Sequence, residues 1–259
     1  MTDHSMMKLG RMRAGPDSRV PDLFRAYHSR IAYHPQIVNM PITKDWYSRV
    51  ASWPMLANDT VGDCTIAAIG HIIQQWTTYT DREAVVMTDA EVLAAYSAVS
   101  GYVPGDPATD RGALCADVLQ YWLTTGMETL VGGPDTLSGI AKITPGNKLD
   151  TRIAIATFGN VYAGIALPLS AQTEDIWSST ADAPGSWGGH AVPLVGYTAS
   201  GPICVTWGAL KQMTWDWWRT YAEEAYVLLS PDWLRATGTD PAGVDWARLE
   251  ADMKNFGNR

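Results

Sequence analysis

The sequence predicts an α+β fold in which a helical half faces an antiparallel sheet across a cleft. Segments with a helical pattern fall between residues 64 and 125, whereas segments with a β-strand pattern dominate from residue 161 onward. Hydrophobic residues make up 46% of the 259 residues and charged residues 18%, so the chain can bury a substantial core. This composition excludes a disordered tail and a coiled coil.

The predicted helical half consists of three helices. They span Cys64–Trp76, Thr88–Val99 and Gly112–Thr125. The first follows a turn cluster at residues 58–63 and is mostly apolar without a breaker, so we expect it to be buried. Thr88 and Glu91 form a capping box at the start of the second helix, and Gly126 ends the third.

The predicted sheet half begins after about residue 150. Its strands span Val161–Leu167, His190–Tyr197, Ile203–Trp207 and Ala225–Ser230. Residues 198–202 form a hairpin turn between the second and third of these strands. Residues 152–156 fit a short helix or a strand, and residues 170–187 form a loop that carries Pro184 and Gly185.

The first 45 residues differ from the rest in charge and in pattern. Residues 1–50 hold 8 Lys and Arg against 4 Asp and Glu, a balance of +4. The remaining residues hold 11 against 23, a balance of −12, and together the two parts give the net charge of −8. Four prolines and the lack of a sustained period predict an extended arm with a short helix near Leu23–His34. We therefore expect a basic arm at residues 1–45, a domain at residues 46–235 and a tail at residues 236–259.

Two roles are open for this arm. Either it is solvated or docked on its own acidic body, or it lies on a partner such as a neighbouring subunit or nucleic acid. The acidic body argues against nucleic acid as the main partner.

The sequence gives no sign of export, membrane insertion or a bound cofactor. No run of eighteen apolar residues occurs, and the basic N-terminus is not followed by the apolar stretch of a signal peptide. Cys64, Cys115 and Cys204 are too few and too widely spaced for a disulfide framework, and no zinc-type cluster of Cys and His occurs. Phosphate-loop and dinucleotide motifs are absent as well. We expect a soluble protein without a metal or a cofactor.

Cys64 is the candidate nucleophile. It follows a Gly-Asp turn and opens the predicted buried helix, so its sulfur lies at the positive end of the helix dipole, where a thiolate is favoured. The alternative is a small apolar residue at a helix start. Cys115, inside a predicted helix, and Cys204, inside a predicted strand, are expected to be structural.

His190 is the candidate base for this thiol. It follows Gly188 and Gly189 at the start of an apolar strand, so its ring can project from the strand end into a cleft. His71 lies seven residues after Cys64 on the same helix, about 10 Å away at 1.5 Å per residue, which is too far for a direct hydrogen bond. We therefore expect His71 to be a packed structural residue.

Two motifs resemble those of the papain-like cysteine peptidases. The first is Gly-Asp-Cys at residues 62–64, followed by an apolar helix, and the second is HAVPLVGY at residues 190–197, followed by Trp207-Gly208. The resemblance covers roughly residues 50–230 and implies a helical subdomain, with the Cys helix buried, that faces an antiparallel sheet subdomain. The NDTVGDC, GGHAVPLVGY and TWGALKQMTWDWW motifs also resemble proteins encoded by bacteriophages and some bacteria.

The resemblance assigns Asn58 to an oxyanion hole. The family places a Gln six residues before the nucleophile, where its amide helps the backbone N–H of the Cys to hold the oxyanion. Asn58 occupies that position and offers the same donors on a shorter side chain. Turn chemistry is the alternative interpretation of this Asn.

The resemblance also implies a residue that orients the His, and here the sequence departs from the family. The family uses an Asn on the next strand. Counting from His190 places Thr206 there, and counting from the following Trp-Gly places Val205 there. Thr206 can accept a hydrogen bond from the imidazole but is neither an amide nor a carboxylate, which predicts slow, altered or lost activity. Asp63 and Asp182 are other candidates for this role.

The chain is rich in tryptophan, with 12 in all and eight from Trp177 onward. A binding platform for sugars or a partner is one interpretation. Packing is the favoured one, in which Trp207 covers the His190 ring and the alternating Trp215 and Trp217 bury one face.

Two functions are compatible with the sequence. The first is a papain-like hydrolase of peptide or isopeptide bonds, with Cys64 as nucleophile, His190 as base and acid, and Asn58 in the oxyanion hole. The second is a structural module, such as a minor capsid or tail component of a phage virion, attached to other virion proteins through residues 1–45. Both place the protein in the host-cell cytoplasm or in a virion and away from membranes. A Cys64 sulfur within about 4 Å of a His190 nitrogen in an open cleft favours the first, and a filled cleft favours the second.

Overall fold

The computed structural model describes residues 3–13, 40–80, 83–131, 133–230 and 233. The predicted helix near Leu23–His34 and the predicted tail at residues 236–259 lie outside these residues. Within the described part the α-helices are α1 (Cys64–Tyr79), α2 (Asp89–Ser100), α3 (Cys115–Thr124), α4 (Lys148–Phe158) and α5 (Trp215–Tyr221). The strands are β1 (Lys44–Asp45), β2 (Gly139–Lys142), β3 (Val161–Leu167), β4 (Gly188–Tyr197), β5 (Pro202–Thr206), β6 (Ala209–Gln212) and β7 (Ala222–Leu229).

Helix α1 is buried along almost its whole length, as predicted. Its polar side chains have partners in the core. The Gln75 amide donates to the carbonyls of Trp46 and Gly159, each at 2.9 Å. His71 is 3% exposed, its Nε2 lies 2.8 Å from the Pro54 carbonyl oxygen, and burial lowers its pKa to about 4. This histidine is a packed structural residue, as expected.

Helix α2 begins with the predicted capping box, in which the side chains of Thr88 and Glu91 each accept a backbone N–H bond from the other residue. Helix α3 starts at Cys115, three residues later than predicted. The difference arises because Gly112 has φ +79° and the following Ala113 pairs with the N-terminal segment, so neither residue has helical conformation.

The sheet is antiparallel throughout, with the order β2-β7-β3-β4-β5-β6 and β1 paired to β4. Strand β3 has the predicted bounds, and the hairpin at residues 198–202 joins β4 to β5 as predicted. Residues 152–156 belong to α4, so the helical alternative is right.

The prediction that the alternating Trp215 and Trp217 bury one face is confirmed for Trp217 and wrong for Trp215, because both lie in a helix. Thr214 accepts a hydrogen bond from the Trp217 backbone N–H at 3.1 Å and caps α5. The helical geometry then buries Trp217 and its neighbour Trp218 side by side, while Trp215 is half-buried.

The core has two parts that meet at the sheet. One lies among α4, α5 and one face of the sheet, and the other surrounds α1, α2 and α3. The start of α1 therefore faces the start of β4. In the described ranges, no helix is long and apolar enough to span a bilayer, and no group of three or more potential metal ligands occurs.

Candidate active site

Cys64 is the first residue of α1, and its thiol is covered. The residue is 1% exposed, and burial raises the pKa of the thiol to about 11, against the smaller lowering effect of backbone hydrogen bonds from Ala191 and Gly10. In this covered state the effect of burial exceeds the lowering effects, and activation of the thiol by the helix dipole stays a prediction. The contact with Ala191 brings Cys64 to the residue that follows His190.

His190 lies on β4 with its ring buried and neutral. Its Nε2 is 2.8 Å from the Thr206 hydroxyl oxygen, whereas its Nδ1 is buried with no hydrogen-bond partner among the described residues. The ring stacks on Trp207, with centroids 4.6 Å apart and planes 18° apart, which confirms the predicted cover. Burial lowers the pKa of His190 to about 3. The ring is thus held at one nitrogen and unbonded at the other.

Thr206 is the candidate orienting residue that the structure places at His190. It ends β5, and its hydroxyl can either donate to the imidazole or accept from it. Val205 is buried inside β5. The carboxylate of Asp182 accepts the Ser170 backbone N–H at 2.8 Å and so has a local role in its loop.

Asp63 immediately precedes the nucleophile candidate and is fully buried. Its carboxyl makes no cap bond to α1, and the side chain of the neighbouring Asn58 lowers its pKa by less than burial raises it. Burial raises its pKa to about 8, so this carboxyl is mostly protonated at neutral pH.

Asn58 is held within its own turn. Its amide nitrogen donates to the Val61 carbonyl oxygen at 3.2 Å, and the residue is 3% exposed. Leu56 and Ala57, just before it, have φ of 58° and 62°, which marks a tight and strained turn. These contacts favour turn chemistry for Asn58, and its role in an oxyanion hole stays a prediction.

The most important feature that the sequence did not reveal is a segment lying in the cleft. Residues 3–13, here called the cleft segment, pass between the start of β4 and the residues before α3. The Arg11 N–H donates to the Gly189 carbonyl at 3.2 Å, and the Ala113 N–H donates to the Gly10 carbonyl at 2.8 Å. The alternative of an arm docked on its own body is therefore confirmed for these residues.

Glycines on both partners allow the cleft segment to approach closely. A Cβ on Gly10 would lie 1.6 Å from the Gly62 carbonyl oxygen, and one on Gly112 would lie 2.0 Å from the Gly10 carbonyl oxygen. A Cβ on Gly189 would lie 2.2 Å from the Arg11 carbonyl oxygen. The segment consequently lies backbone against backbone and covers the thiol.

Two side chains of the cleft segment add further contacts. The Arg11 guanidinium pairs with the carboxylates of Glu223 and Glu224 on β7. The His4 ring stacks on Trp207, with centroids 5.1 Å apart. Only the basic charge of the arm and the acidic charge of the body hinted at such a contact in the sequence, since more than 200 residues separate Arg11 from its partners.

Comparison with known proteins finds similarity in structure alone. No protein-family model matches the chain, and no curated protein matches its sequence. Xylellain, a cysteine protease from Xylella fastidiosa, is similar with a TM-score of 0.65 and 13% identity, over 89% of this chain and 98% of xylellain. Procathepsin B from Trypanosoma congolense is similar with a TM-score of 0.59 and 11% identity, over 88% of each chain. The cysteine protease CMS1MS2 of Carica candamarcensis has a TM-score of 0.52 and 13% identity, over 73% of this chain and 99% of that protease. The predicted papain-like fold is confirmed by these structures.

Proposed function

We propose that this chain is a papain-like cysteine peptidase whose active site is covered by its own N-terminal segment. One observation carries the proposal. A stretch of peptide backbone lies over the Cys64 thiol and is hydrogen-bonded on one side to Gly189 and on the other to Ala113. A cleft that holds one peptide strand in this way can hold the backbone of a substrate.

The proposal assigns a role to each residue of the site. The Cys64 sulfur attacks the carbonyl carbon of the scissile amide, and its proton passes to Nδ1 of His190, the nitrogen without a partner. The oxyanion develops near the N-terminus of α1, where the Cys64 backbone N–H is available to stabilise it. His190 then protonates the leaving amine, and water hydrolyses the thioester with the same histidine as base. Thr206 acts as a positioning residue on Nε2, and Asn58 joins the oxyanion hole if its amide turns away from Val61.

The covered state is latent in this proposal. With the thiol pKa near 11 and the His190 pKa near 3, a proton stays on the sulfur and the pair is neutral at physiological pH. Removal of the cleft segment lets water reach both groups, which lowers the first pKa and raises the second. Uncovering thus activates the nucleophile.

The variant Gly10→Ala tests this function in the full chain. Its methyl group would collide with the Gly62 carbonyl, so the cleft segment must leave its position. We expect Gly10→Ala to hydrolyse a fluorogenic peptide library, and the double variant Gly10→Ala/Cys64→Ala to be inactive. Met6→Ala changes a residue of the same segment that is 87% exposed and should remain as latent as the wild type. An uncovered Cys64 that cleaves nothing, or cleavage that survives the loss of Cys64, contradicts the proposal.

The setting of the reaction is proposed from sequence motifs. The NDTVGDC and TWGALKQMTWDWW motifs support a bacteriophage or bacterial origin, with activity in the host cytoplasm or in a virion. A virion protein or a cell-wall peptide is then the proposed substrate. Incubation of Gly10→Ala with each of these, followed by mass spectrometry of the products, separates them.

A structural role in a virion is the second candidate. Two observations favour it: Thr206 replaces the usual amide, and the cleft is filled. The filled cleft is weak evidence for this role, because the occupant is a peptide segment that can be displaced or cut. Inactivity of Gly10→Ala, together with intact particle assembly by Cys64→Ala, would support this role over catalysis.

A further inference from the structure

An acidic pocket lies beside the covered thiol and is filled by Arg11. Its Nη1 pairs with Glu224 and its Nη2 with Glu223, so each nitrogen of the guanidinium fork meets a different carboxylate. The Arg11 side chain is 1% exposed, and the two carboxylate side chains are 10% and 20% exposed. Glu223 also pairs with the exposed Arg13, whose Nε lies 3.1 Å from Oε1, so two arginines of the cleft segment face the two carboxylates and Arg11 is the buried one.

A β-bulge brings both carboxylates to the same side. Along β3 and β7, Gly164 is opposite Glu224 and Ile165 is opposite Ala222, so Glu223 is an extra residue in the ladder. Consecutive strand residues normally point to opposite faces of a sheet, and a bulge redirects one of them. The bulge therefore explains how neighbouring glutamates reach one guanidinium.

The pocket is shaped and held for its occupant. A Cβ on Gly164 would lie 2.8 Å from Cδ of Arg11 and 3.1 Å from Oε1 of Glu224, so only glycine leaves room for the long side chain. The Tyr226 hydroxyl donates to the other oxygen of Glu224 at 2.8 Å and fixes that carboxylate.

From these contacts we infer that the pocket of Gly164, Glu223 and Glu224 selects peptides that carry an arginine side chain. Arg11 occupies the place of that side chain, next to Gly10, whose backbone contacts the thiol. This inference rests on the proposed function, since it names the substrate class of the same cleft. An empty pocket leaves two partly buried carboxylates without a cation, and a guanidinium fork satisfies both, whereas a lysine ammonium offers a single nitrogen.

Peptide binding to the full chain tests the inference without catalysis. The protein is Gly10→Ala/Cys64→Ala, and the probe is a fluorescein-labelled copy of residues 5–13 with Arg, Lys, citrulline or Glu in the position of Arg11. Citrulline has the shape of arginine without its charge. The tethered segment competes equally with every peptide, so ratios of apparent Kd remain comparable. We expect the arginine peptide to bind at least about 30-fold more tightly than the citrulline peptide, and the lysine peptide to lie between them.

A substitution in the pocket and a matched control sharpen this test. Glu224→Gln should reduce the ratio between arginine and citrulline peptides to a few-fold, while Glu128→Gln, the same change at an exposed site, should keep it. Circular dichroism confirms folding of each variant. If Glu224→Gln does not fold, the ratio of apparent Kd between citrulline and arginine peptides on Gly10→Ala/Cys64→Ala still tests the inference. A ratio below about 3 on that protein overturns the inference.

Substrate turnover separates this inference from the proposed function. On Gly10→Ala with Cys64 intact, matched fluorogenic peptides with Arg, citrulline or Leu at the varied position should differ in kcat/KM by a similar factor. Hydrolysis with no preference for arginine overturns the pocket and leaves the peptidase standing. Arginine-selective binding with no hydrolysis overturns the peptidase and leaves the pocket as a binding site.

Discussion

Cys64 and Cys115 occupy equivalent positions in two helices and differ in what surrounds them. Each is the first residue of its helix, each is buried, and burial raises the pKa of each thiol. At Cys64 the backbone groups of Ala191 and Gly10 lower the pKa, and Asp63 raises it. At Cys115 the Glu224 carboxylate raises the pKa, and Arg11 and the Tyr162 hydroxyl lower it. A helix N-terminus therefore does not make a nucleophile by itself. The groups that still surround each thiol after the cleft segment is removed determine its reactivity.

The residues that precede these cysteines extend the contrast. Asp63 precedes α1 with a buried carboxyl, while the apolar Leu114 precedes α3. Neither makes a side-chain cap. Only the helix with the nucleophile candidate carries the energetic cost of a buried acid, which points to a role for this region beyond packing.

The largest expected effect is a difference in activity between variants of Cys64 and variants of Cys115. In the Gly10→Ala background, Cys64→Ala should lower kcat/KM for peptide hydrolysis by at least about 10⁴-fold, because the nucleophile is lost. Cys115→Ala should change it by less than about 10-fold, since this residue only packs. Comparable losses in the two variants would show that both thiols act through structure.

The next effect concerns the acid beside Cys64. The pKa of Asp63 is raised to about 8 in the folded state, so its favourable contribution is present at low pH and is lost as pH rises from about 4 to 8. At pH 7, Asp63→Asn should therefore stabilise the protein by about 3 kcal/mol, and by little at pH 4. Urea unfolding followed by tryptophan fluorescence measures this. Asp59→Asn, at an exposed position in the same turn, is the control, and equal gains from both would contradict the assignment.

A smaller effect is expected on thiol reactivity. Uncovering by Gly10→Ala should raise the rate of Cys64 carboxymethylation at pH 8 by about 100-fold, as the pKa falls from about 11 towards that of an exposed thiol. Cys115 should gain much less, because the neighbouring Glu224 disfavours its thiolate. Peptide mapping by mass spectrometry reads both sites in one sample. Equal gains would mean that access alone, and not local charge, governs reactivity.

The smallest effect concerns Thr206 as a positioning residue. In the uncovered enzyme, Thr206→Val should lower kcat about 10-fold with little change in KM, because Nε2 of His190 loses its partner. Thr206→Asn should restore or exceed the parental kcat, and the pH profile of the valine variant should shift. Loss of activity in both variants without a shift would indicate a packing role only.

Much of the fold was predictable where local pattern and tertiary environment agree. The long apolar run of α1, the capping box of α2 and the apolar strand β3 are signals of this kind. Strand β6, with the sequence Ala-Leu-Lys-Gln, was missed because these residues favour helices, and pairing with β5 overrides that preference. Helix α5 was missed because it has only seven residues, too few for a clear helical period.

The candidate site was predictable only in part. Cys64, His190 and Thr206 each stand beside a recognisable turn or strand end, so their neighbourhood could be inferred. The contact of Arg11 with the bulge at Glu223 depends on a ladder irregularity and on long-range docking. Neither the ladder irregularity nor the docking produces a periodic pattern in the sequence.

Trp207 contacts both the cleft segment and the candidate base His190. The rings of His4 and His190 both stack on it, with centroids at 5.1 Å and 4.6 Å. When the cleft segment leaves, Trp207 loses the contact with His4 and keeps the contact with His190. Opening of the cleft therefore changes the surroundings of one of the 12 tryptophans, and the intrinsic fluorescence of the protein should change without any added label.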